Sequence, residues 1–574
     1  MDRIIKLALV TAAVAFAALS GETNAETHVY EVVEEAFLAN NTYANPYLDV
    51  DLWVDLTGPG GTYKIPAFWD GGNTFRVRLV ATEPGKWTWS SGNKTGDSGL
   101  DGKTGAFTAV AWTEAEKKAN PNRRGFIRVA KNGRTLQYAD AAPFFYTGDT
   151  WWSALTKVYA WGTDDGVSKI SFQDAIALRK AQGFNGINMI ACFPSDTKKG
   201  IWDKASHGEK VAEDGSTPFK INGGVDYTRI NPKYWQHADR KMKHMSEEGF
   251  VPFLETVRRH EEWPTENEAE KEAFTNYVRY LWARWGCYNM IFSWVHADAG
   301  SDELQRAWGG MVVKAHAALN DGRLPYGQPR TVMCPGSSEK YWYTLSPRIL
   351  DINSVSNQGR DGESIGWLRE MFFLDDPLPV YNLEPYYPGV GAWHPKPLEG
   401  MSDEQMAQFL MYGCVLNGGA LAGHAWGDCY WAGVATHPKQ PIPAGDPHKN
   451  GFNRFNAASM GKLKDFILDG GHDYRRLVPA PKNLASPDGE LLCLALTPDK
   501  TQGLGFISAG KPSCDITKLT PDADYRIEWW HLDAGNWRNE TIRKTNRSGR
   551  LSMPGVPGGI KRGWAFRILR VRNK

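Results

Sequence analysis

What most constrains this chain is a change of hydrophobic period at Gly125. From there to about residue 472, short apolar runs alternate with longer amphipathic stretches. The runs predict strands at Phe144–Tyr146, Gly186–Ile190, Val251–Glu255, Met290–Trp294, Arg330–Met333, Asp351–Ser354, Leu378–Leu383 and Ala420–His424. Segments such as "SFQDAIALRKAQGF" and "PKYWQHADRKMKHMSEEGF" predict helices between them. Strand and helix in strict alternation build a parallel sheet, and eight such units predict an α/β fold, a (β/α)8 TIM barrel over 125–472.

Both flanks have a different period. Around "LDVDLWVDLTGPGGTYKIPAFWDGGNTFRVRLVATEPGKWTW", apolar and polar residues alternate with a period of two, broken by Gly-Pro, Gly-Gly and Pro-Gly turns. That is the pattern of antiparallel strands with one buried face, and it predicts an N-terminal β-sandwich over 26–112. The polar stretch "TEAEKKANPNRR", 113–124, is expected to be a linker. "ELLCLALT", "GLGFISA", "YRIEWWHLDAGNW" and "GWAFRILRVR" predict a second, C-terminal β-sandwich over 473–574.

The first residues have the form of an export signal: Arg3 and Lys6, an apolar run from Ile4 to Leu19, then small and polar residues up to Ala25. Residues 1–25 are therefore expected to be removed, and the mature chain to be periplasmic or secreted. No later stretch is apolar enough to cross a bilayer, so stable membrane insertion is not expected. Seven cysteines with no C-x-x-C pair do not make a disulfide framework, and Cys287, Cys334 and Cys414 sit in apolar contexts that suit small core residues. With 66 Lys and Arg against 65 Asp and Glu, no global basic field favours nucleic acid.

Candidate chemistry follows from the barrel, whose catalytic groups gather where the strands end. Those ends carry Asp149 with Trp151 and Trp152, then Asn188, Glu255, His296 with Asp298, Gln358, Glu384 with Tyr386, and His424 with Trp426. Carboxylates, amides and aromatic rings together suit glycoside hydrolysis. One carboxyl protonates the leaving oxygen, a second attacks the anomeric carbon or activates water, amides bind hydroxyls, and rings stack on sugar C–H faces. The 24 Trp residues serve that purpose or fill β-rich cores. There is no Gly-rich phosphate loop, no G-x-S-x-G elbow and no H-E-x-x-H, so phosphate-binding, serine-triad and zincin chemistries have no motif here.

Each candidate could also serve the fold alone. Asp149 could cap the following helix. Glu255, followed by Arg258, Arg259 and His260, could be a salt-bridged brace. His296 could orient a neighbour, His424 could pack in the core, and Asp298 could belong to an acidic surface loop with Asp302 and Glu303. Glu384, between the apolar "LPVYNL" and Pro385-Tyr386-Tyr387, is the hardest to place on a solvated surface.

Five segments, "GFIRVAKNGRTLQYADAAPFFYTGDTWW", "LRKAQGFNGINMI", "NPKYWQHADRKMKHMSEEGFVP", "LPVYNLEPYY" and "NGGALAGHAWG", together resemble the apiosidase-like glycoside hydrolase family, a barrel first recorded as a domain of unknown function. The flanks are similar to the N-terminal sandwich often joined to such barrels and to a C-terminal sandwich of collagen-binding type. The resemblance implies a retaining site with carboxylates after strands four and seven: Glu384 as nucleophile and Asp298 as acid/base. Asp149, Trp151, Trp152, Asn188, Glu255, His296, Gln358, Tyr386, His424 and Trp426 would then line the sugar subsite, with no cofactor and no metal. This chain departs from the family where "SWVHAD" replaces the usual Gly-rich stretch before the acid. The expected partner is a plant or algal polysaccharide or its oligosaccharides. The rival is a non-catalytic carbohydrate- or matrix-binding protein, which would use the aromatic rings without an acid pair.

Overall fold

Strands β1 (Tyr146–Thr150), β2 (Gly186–Ile190), β3 (Val251–Glu255), β4 (Ile291–His296), β5 (Arg330–Met333), β6 (Asn353–Ser356), β7 (Val380–Asn382) and β8 (Gly419–His424) join a single curled sheet. The structure, a computed structural model, describes residues 26–162, 170–194, 211–258, 263–265, 267–297, 301–345, 348–356, 363–386, 400–424, 457–485 and 492–571. The expected leader, 1–25, lies outside them. All seven ladders among these eight strands are parallel, running β5-β4-β3-β2-β1-β8-β7-β6. A two-residue strand, Gly336–Ser337, adds an antiparallel ninth beyond β6. Asp351 and Ile352, just before β6, donate their N–H groups to the Arg330 carbonyl at 2.8 and 3.1 Å, so β5 and β6 also meet. The array is barrel-like.

The expected strands β2, β3 and β5 have the observed bounds, and the bounds of the others shift by up to two residues, except the end of β1, which lies four residues later. The shift matters at β1. That strand starts at Tyr146 rather than Phe144, because Pro143–Phe144 pairs instead with Leu136–Gln137 in a small separate sheet.

Helices α1 (Phe172–Gln182), α2 (Pro232–Glu247), α3 (Glu268–Trp285), α4 (Asp302–Ala318), α5 (Glu363–Phe372) and α6 (Asp403–Leu416) return the chain between strands. Their ends follow local chemistry. Ser171 accepts from the Asp174 N–H at the start of α1, and Gly183, at φ 103°, closes it in the left-handed conformation. Pro232 opens α2, while Asn267–Glu270 and Ser402–Gln405 form reciprocal caps on α3 and α6. Alternate strand residues split between two environments. Val251, Phe253, Ile291, Met333, Ile352, Tyr381 and Leu383 fill the interior of the curled sheet, whereas Ile187, Met189, Leu254, Phe292 and Trp294 belong to the larger core that includes the helices.

On the N-terminal side, a five-stranded sheet and a three-stranded sheet (Val32–Leu38, Thr74–Val80, Phe68–Gly71) make a β-rich domain. The segment 113–124, expected as a linker, is helical. Thr113 and Glu116 cap Glu114–Ala119 reciprocally, and a 3-10 turn follows at Pro121–Arg124. A buried ionic cluster joins this domain to α2 and α3. Arg78 pairs with Asp239 at 2.7 Å, while Arg284 pairs with both Asp239 and Asp70 at 2.8 Å. On the C-terminal side, a six-stranded and a three-stranded sheet follow Val478. There Tyr412 of α6 stacks on Phe506 at 5.2 Å.

Candidate active site

The C-terminal ends of the parallel strands converge on a group of buried polar side chains. Tyr146, Gly148 and Thr150 alternate toward the interior of β1. A Cβ at Gly186, on the neighbouring strand, would lie 2.1 Å from the Tyr146 ring, so the bare glycine makes room for it. The Tyr146 hydroxyl donates to Asn188 Oδ1 at 2.7 Å, and the Asn188 amide donates to Thr150 Oγ1 at 3.0 Å. Asn188 is thus held from both sides by residues of β1.

Glu255 ends β3 with no exposed surface, and its carboxylate is hydrogen-bonded to Nδ1 of His296, the last residue of β4. The His296 backbone N–H donates to the Val257 carbonyl at 2.9 Å, which fixes the two strand ends together. Since Nδ1 faces Glu255, ring geometry aims Nε2 the other way. Trp152 meets the His296 imidazole edge to face, with ring centres 4.7 Å apart. Burial holds the Tyr146 and Tyr381 phenols well above the ordinary tyrosine range. Nearby negative charge raises both further, from Asp149 and then Glu255 for Tyr146 and from Glu255 for Tyr381.

Glu384 follows β7 and is 2% exposed. Asn382, the last strand residue, turns its Oδ1 back to accept the Glu384 backbone N–H at 3.2 Å and so sets the exit of the chain from the sheet. On the other side, a Cβ at Gly423 would lie 2.2 Å from the Leu383 carbonyl oxygen, so β8 approaches the residue before Glu384 as only glycine allows. Tyr386 is buried and donates its hydroxyl to Asp403 at the first turn of α6.

Two expected sugar ligands are placed elsewhere. Because β1 begins at Tyr146, Asp149 lies within the strand, opposite Ile187 and His424, on the face turned to the helices. It accepts from Arg179 of α1 at 2.7 Å and from the Trp151 indole at 2.6 Å, and all three are fully buried. Trp151 stacks on Tyr159 at 4.8 Å in the outer core. An ionised carboxylate without water needs such partners, so Asp149 and Trp151 are corrected to structural residues. Asp298, Gln358, Trp426 and the side chain of His424 fall outside the described residues.

The structure thus brings Glu255, His296 and Trp152 into contact and holds Asn188 on the inner side of β2, while Glu384 and Tyr386 follow the end of β7, Tyr386 bonded to α6. Sequence reasoning missed Tyr146, Tyr381 and Asn382. The first two lie on the interior face two residues apart from glycine, threonine or leucine neighbours, a period-2 signal that was legible. Asp403 is seventeen positions from Tyr386 and carries no local signal.

Among known proteins, the "Apiosidase-like, catalytic domain" family matches residues 130–470, and a domain of unknown function, DUF5060, matches 26–94. No curated protein matches the chain in sequence. Among solved structures, a candidate glycoside hydrolase of Bacteroides vulgatus superposes with a TM-score of 0.66 at 16% identity, over 95% of this chain and 100% of that one. A second glycoside hydrolase gives 0.61 at 16% identity, over 79% of this chain and 99% of the other. A family 5 glycoside hydrolase of Bacteroides vulgatus gives 0.58 at 16% identity, over 78% and 94%. These likenesses show the shared fold. The catalytic-domain match spans more than half of the chain, and with it the chain belongs to the apiosidase-like family and is a glycosidase.

Proposed function

We propose that this protein is an exported glycoside hydrolase that cleaves a plant or algal polysaccharide, or its oligosaccharides, with retention of anomeric configuration. The observation that carries the reading is Glu384: a buried carboxylate just past the C-terminal end of a parallel strand, on a residue whose backbone N–H is bonded to Asn382, inside an apiosidase-like catalytic domain. In this reading Glu384 attacks the anomeric carbon, Asp298 protonates the departing oxygen, and water then resolves the glycosyl-enzyme with Asp298 as base. Trp152, Asn188, His296 and Tyr386 shape the sugar subsite, joined by Gln358, His424 and Trp426. Glu255 positions His296. The chemistry needs no cofactor. The finer architecture belongs to the same reading: a closed (β/α)8 barrel over 125–472, between β-sandwiches at 26–112 and 473–574.

One observation favours a second assignment. Glu255 is equally buried and already bonded to an imidazole, so it could take Glu384's place as the reacting carboxylate. The overall reading is tested by incubating the purified protein with a panel of plant and algal oligosaccharides and following the first product by proton NMR. The expected result is release of a sugar whose anomeric configuration matches the substrate. Binding without release from every substrate would support the non-catalytic rival, and a product of opposite configuration would make the enzyme inverting.

A further inference from the structure

Charge is divided unevenly along the chain. Residues 473–574 hold 18 Lys and Arg against 10 Asp and Glu, a net +8, while residues 1–472 hold 48 against 55, a net −7. A near-neutral protein therefore carries a cationic C-terminal domain on a remainder that is net anionic, with residues 125–472 holding 36 Lys and Arg against 40 Asp and Glu. Where the two meet, a cleft of about 1320 Å³ is lined by Arg369 and Phe373 at the end of α5, Asn417 after α6, and Lys482, Asn483 and Lys500 of the C-terminal domain. Among the described residues of its walls, Glu370 is the acidic one.

The cleft lies away from the candidate active site. Arg369 and Phe373 precede β7, and Asn417 precedes β8, so they sit where the chain enters the parallel strands. Glu255, His296 and Glu384 sit where it leaves them. Among the described residues, Lys482 and Lys500 form no ion pair, and Arg369 uses its guanidinium on Asn417 Oδ1 at 3.3 Å, one of five N–H donors. More cations stand near the rim. Thr517, beside Lys518, exchanges hydrogen bonds with Asn483 at 2.7 and 2.8 Å. Arg570 bonds Thr520 at 3.1 Å close to Tyr525, whose hydroxyl donates to the Lys500 carbonyl at 2.8 Å. Asp522 and Asp524 lie on the same stretch of chain. Phe373 is 53% exposed, a bare ring on the cleft wall.

We propose that this cleft is a second glycan-binding site, separate from the active-site mouth, and that it takes an acidic polysaccharide bearing carboxylates or sulfate esters. A chain of repeating anions engages the exposed Lys482 and the half-buried Lys500 and Arg369 at once, where each single pair would be worth little. The Phe373 ring and the prolines of the same wall, Pro479 and Pro481, offer apolar surface to sugar C–H faces, and Asn417 and Asn483 offer amides to hydroxyls. Held at one end of the molecule, the polymer stays at high local concentration around the other.

The test uses full-length protein carrying Glu384→Gln, so that no polymer is cut and binding is read independently of catalysis. Affinity electrophoresis and calorimetry would compare polygalacturonate, a carrageenan, a neutral galactomannan and duplex DNA. At least one acidic glycan should bind most tightly and weaken with salt. Lys482→Glu with Lys500→Glu should weaken it by about tenfold or more. Lys482→Gln with Lys500→Gln, folded by circular dichroism, should weaken it less, and the Arg pair should retain it. In otherwise wild-type protein the same substitutions should leave kcat/KM on a short substrate unchanged. Unaltered binding in the Glu pair, equal affinity for the neutral glycan, or equal affinity for DNA would each overturn the proposal.

Discussion

Two buried glutamates at the candidate active site are held in different ways, and the difference predicts different losses. The Glu255 carboxylate is bonded to the His296 imidazole, and the Glu384 backbone N–H is bonded to Asn382 at the exit from β7. Glu255→Gln keeps the volume but loses the charge that orients and polarises His296. It should lower kcat/KM by about 10- to 100-fold, the usual cost of removing a positioning partner, as steady-state kinetics on a released sugar would show. Asp149 carries a contrasting expectation. With Arg179 as partner in the dry layer between β1 and α1, Asp149→Asn should cost about 3–5 kcal/mol of stability, measured by denaturant unfolding, while the folded fraction keeps its turnover. Glu384 was legible in sequence because a carboxylate set between an apolar strand and a Pro-Tyr-Tyr run does not suit a solvated surface. The role of Asp149 was not, because an error of two residues in where β1 begins hides which face of the sheet a side chain takes.

At the scale of elements, the loops above the sheet are fastened by a buried lysine. Lys241 of α2 donates to the Thr156 carbonyl at 2.6 Å and pairs with Glu213 at 3.1 Å, joining the loop after β1 to the one after β2. Burial pushes its ammonium down to about 8, against the pull of Glu213. In the unfolded chain a lysine releases its proton near about 10.4. Between these values the unfolded state holds a proton that the native state has lost, so this group makes stability rise with pH. Lys241→Met removes the effect. In denaturant titrations from pH 7.5 to 10, the stability difference should move in favour of the wild type as pH climbs, and a constant difference would contradict it. Most elements were readable from hydrophobic period, since β2, β3 and β5 have the bounds that the period predicts. The helix at Glu114–Ala119 was not anticipated, because a short polar segment has no periodic apolar face and only the Thr113–Glu116 cap marks it.

At the scale of the molecule, the N-terminal β-rich domain is fixed to the catalytic one by a buried ion cluster set beside a shared apolar core, in which Tyr47 and Phe68 pack on Tyr280 and Tyr63 on Tyr326. Arg78 and Asp70 come from the first, Asp239 and Arg284 from the second, and Arg284 also lies over the Phe68 ring at 4.5 Å. Removing one member strands the others without water. Asp239→Asn should therefore destabilise the protein by about 3–5 kcal/mol and, in calorimetry, separate unfolding of the N-terminal domain from the rest. The change of period at Gly125 made three regions visible in sequence. Their docking was not visible, since Arg78 and Asp239 are 161 positions apart and neither has a local signature.

That Glu384 carries the bond-breaking step is tested most directly by Glu384→Gln, assayed beside wild type and Glu255→Gln on one hydrolysed oligosaccharide, with folding checked by circular dichroism. The amide fits the same space but is neither nucleophile nor base, so kcat should fall on the order of 10³-fold or more with the fold intact. A folded Glu384→Gln enzyme that keeps most of its activity while Glu255→Gln is dead would contradict the assignment and move the reacting carboxylate to the end of β3.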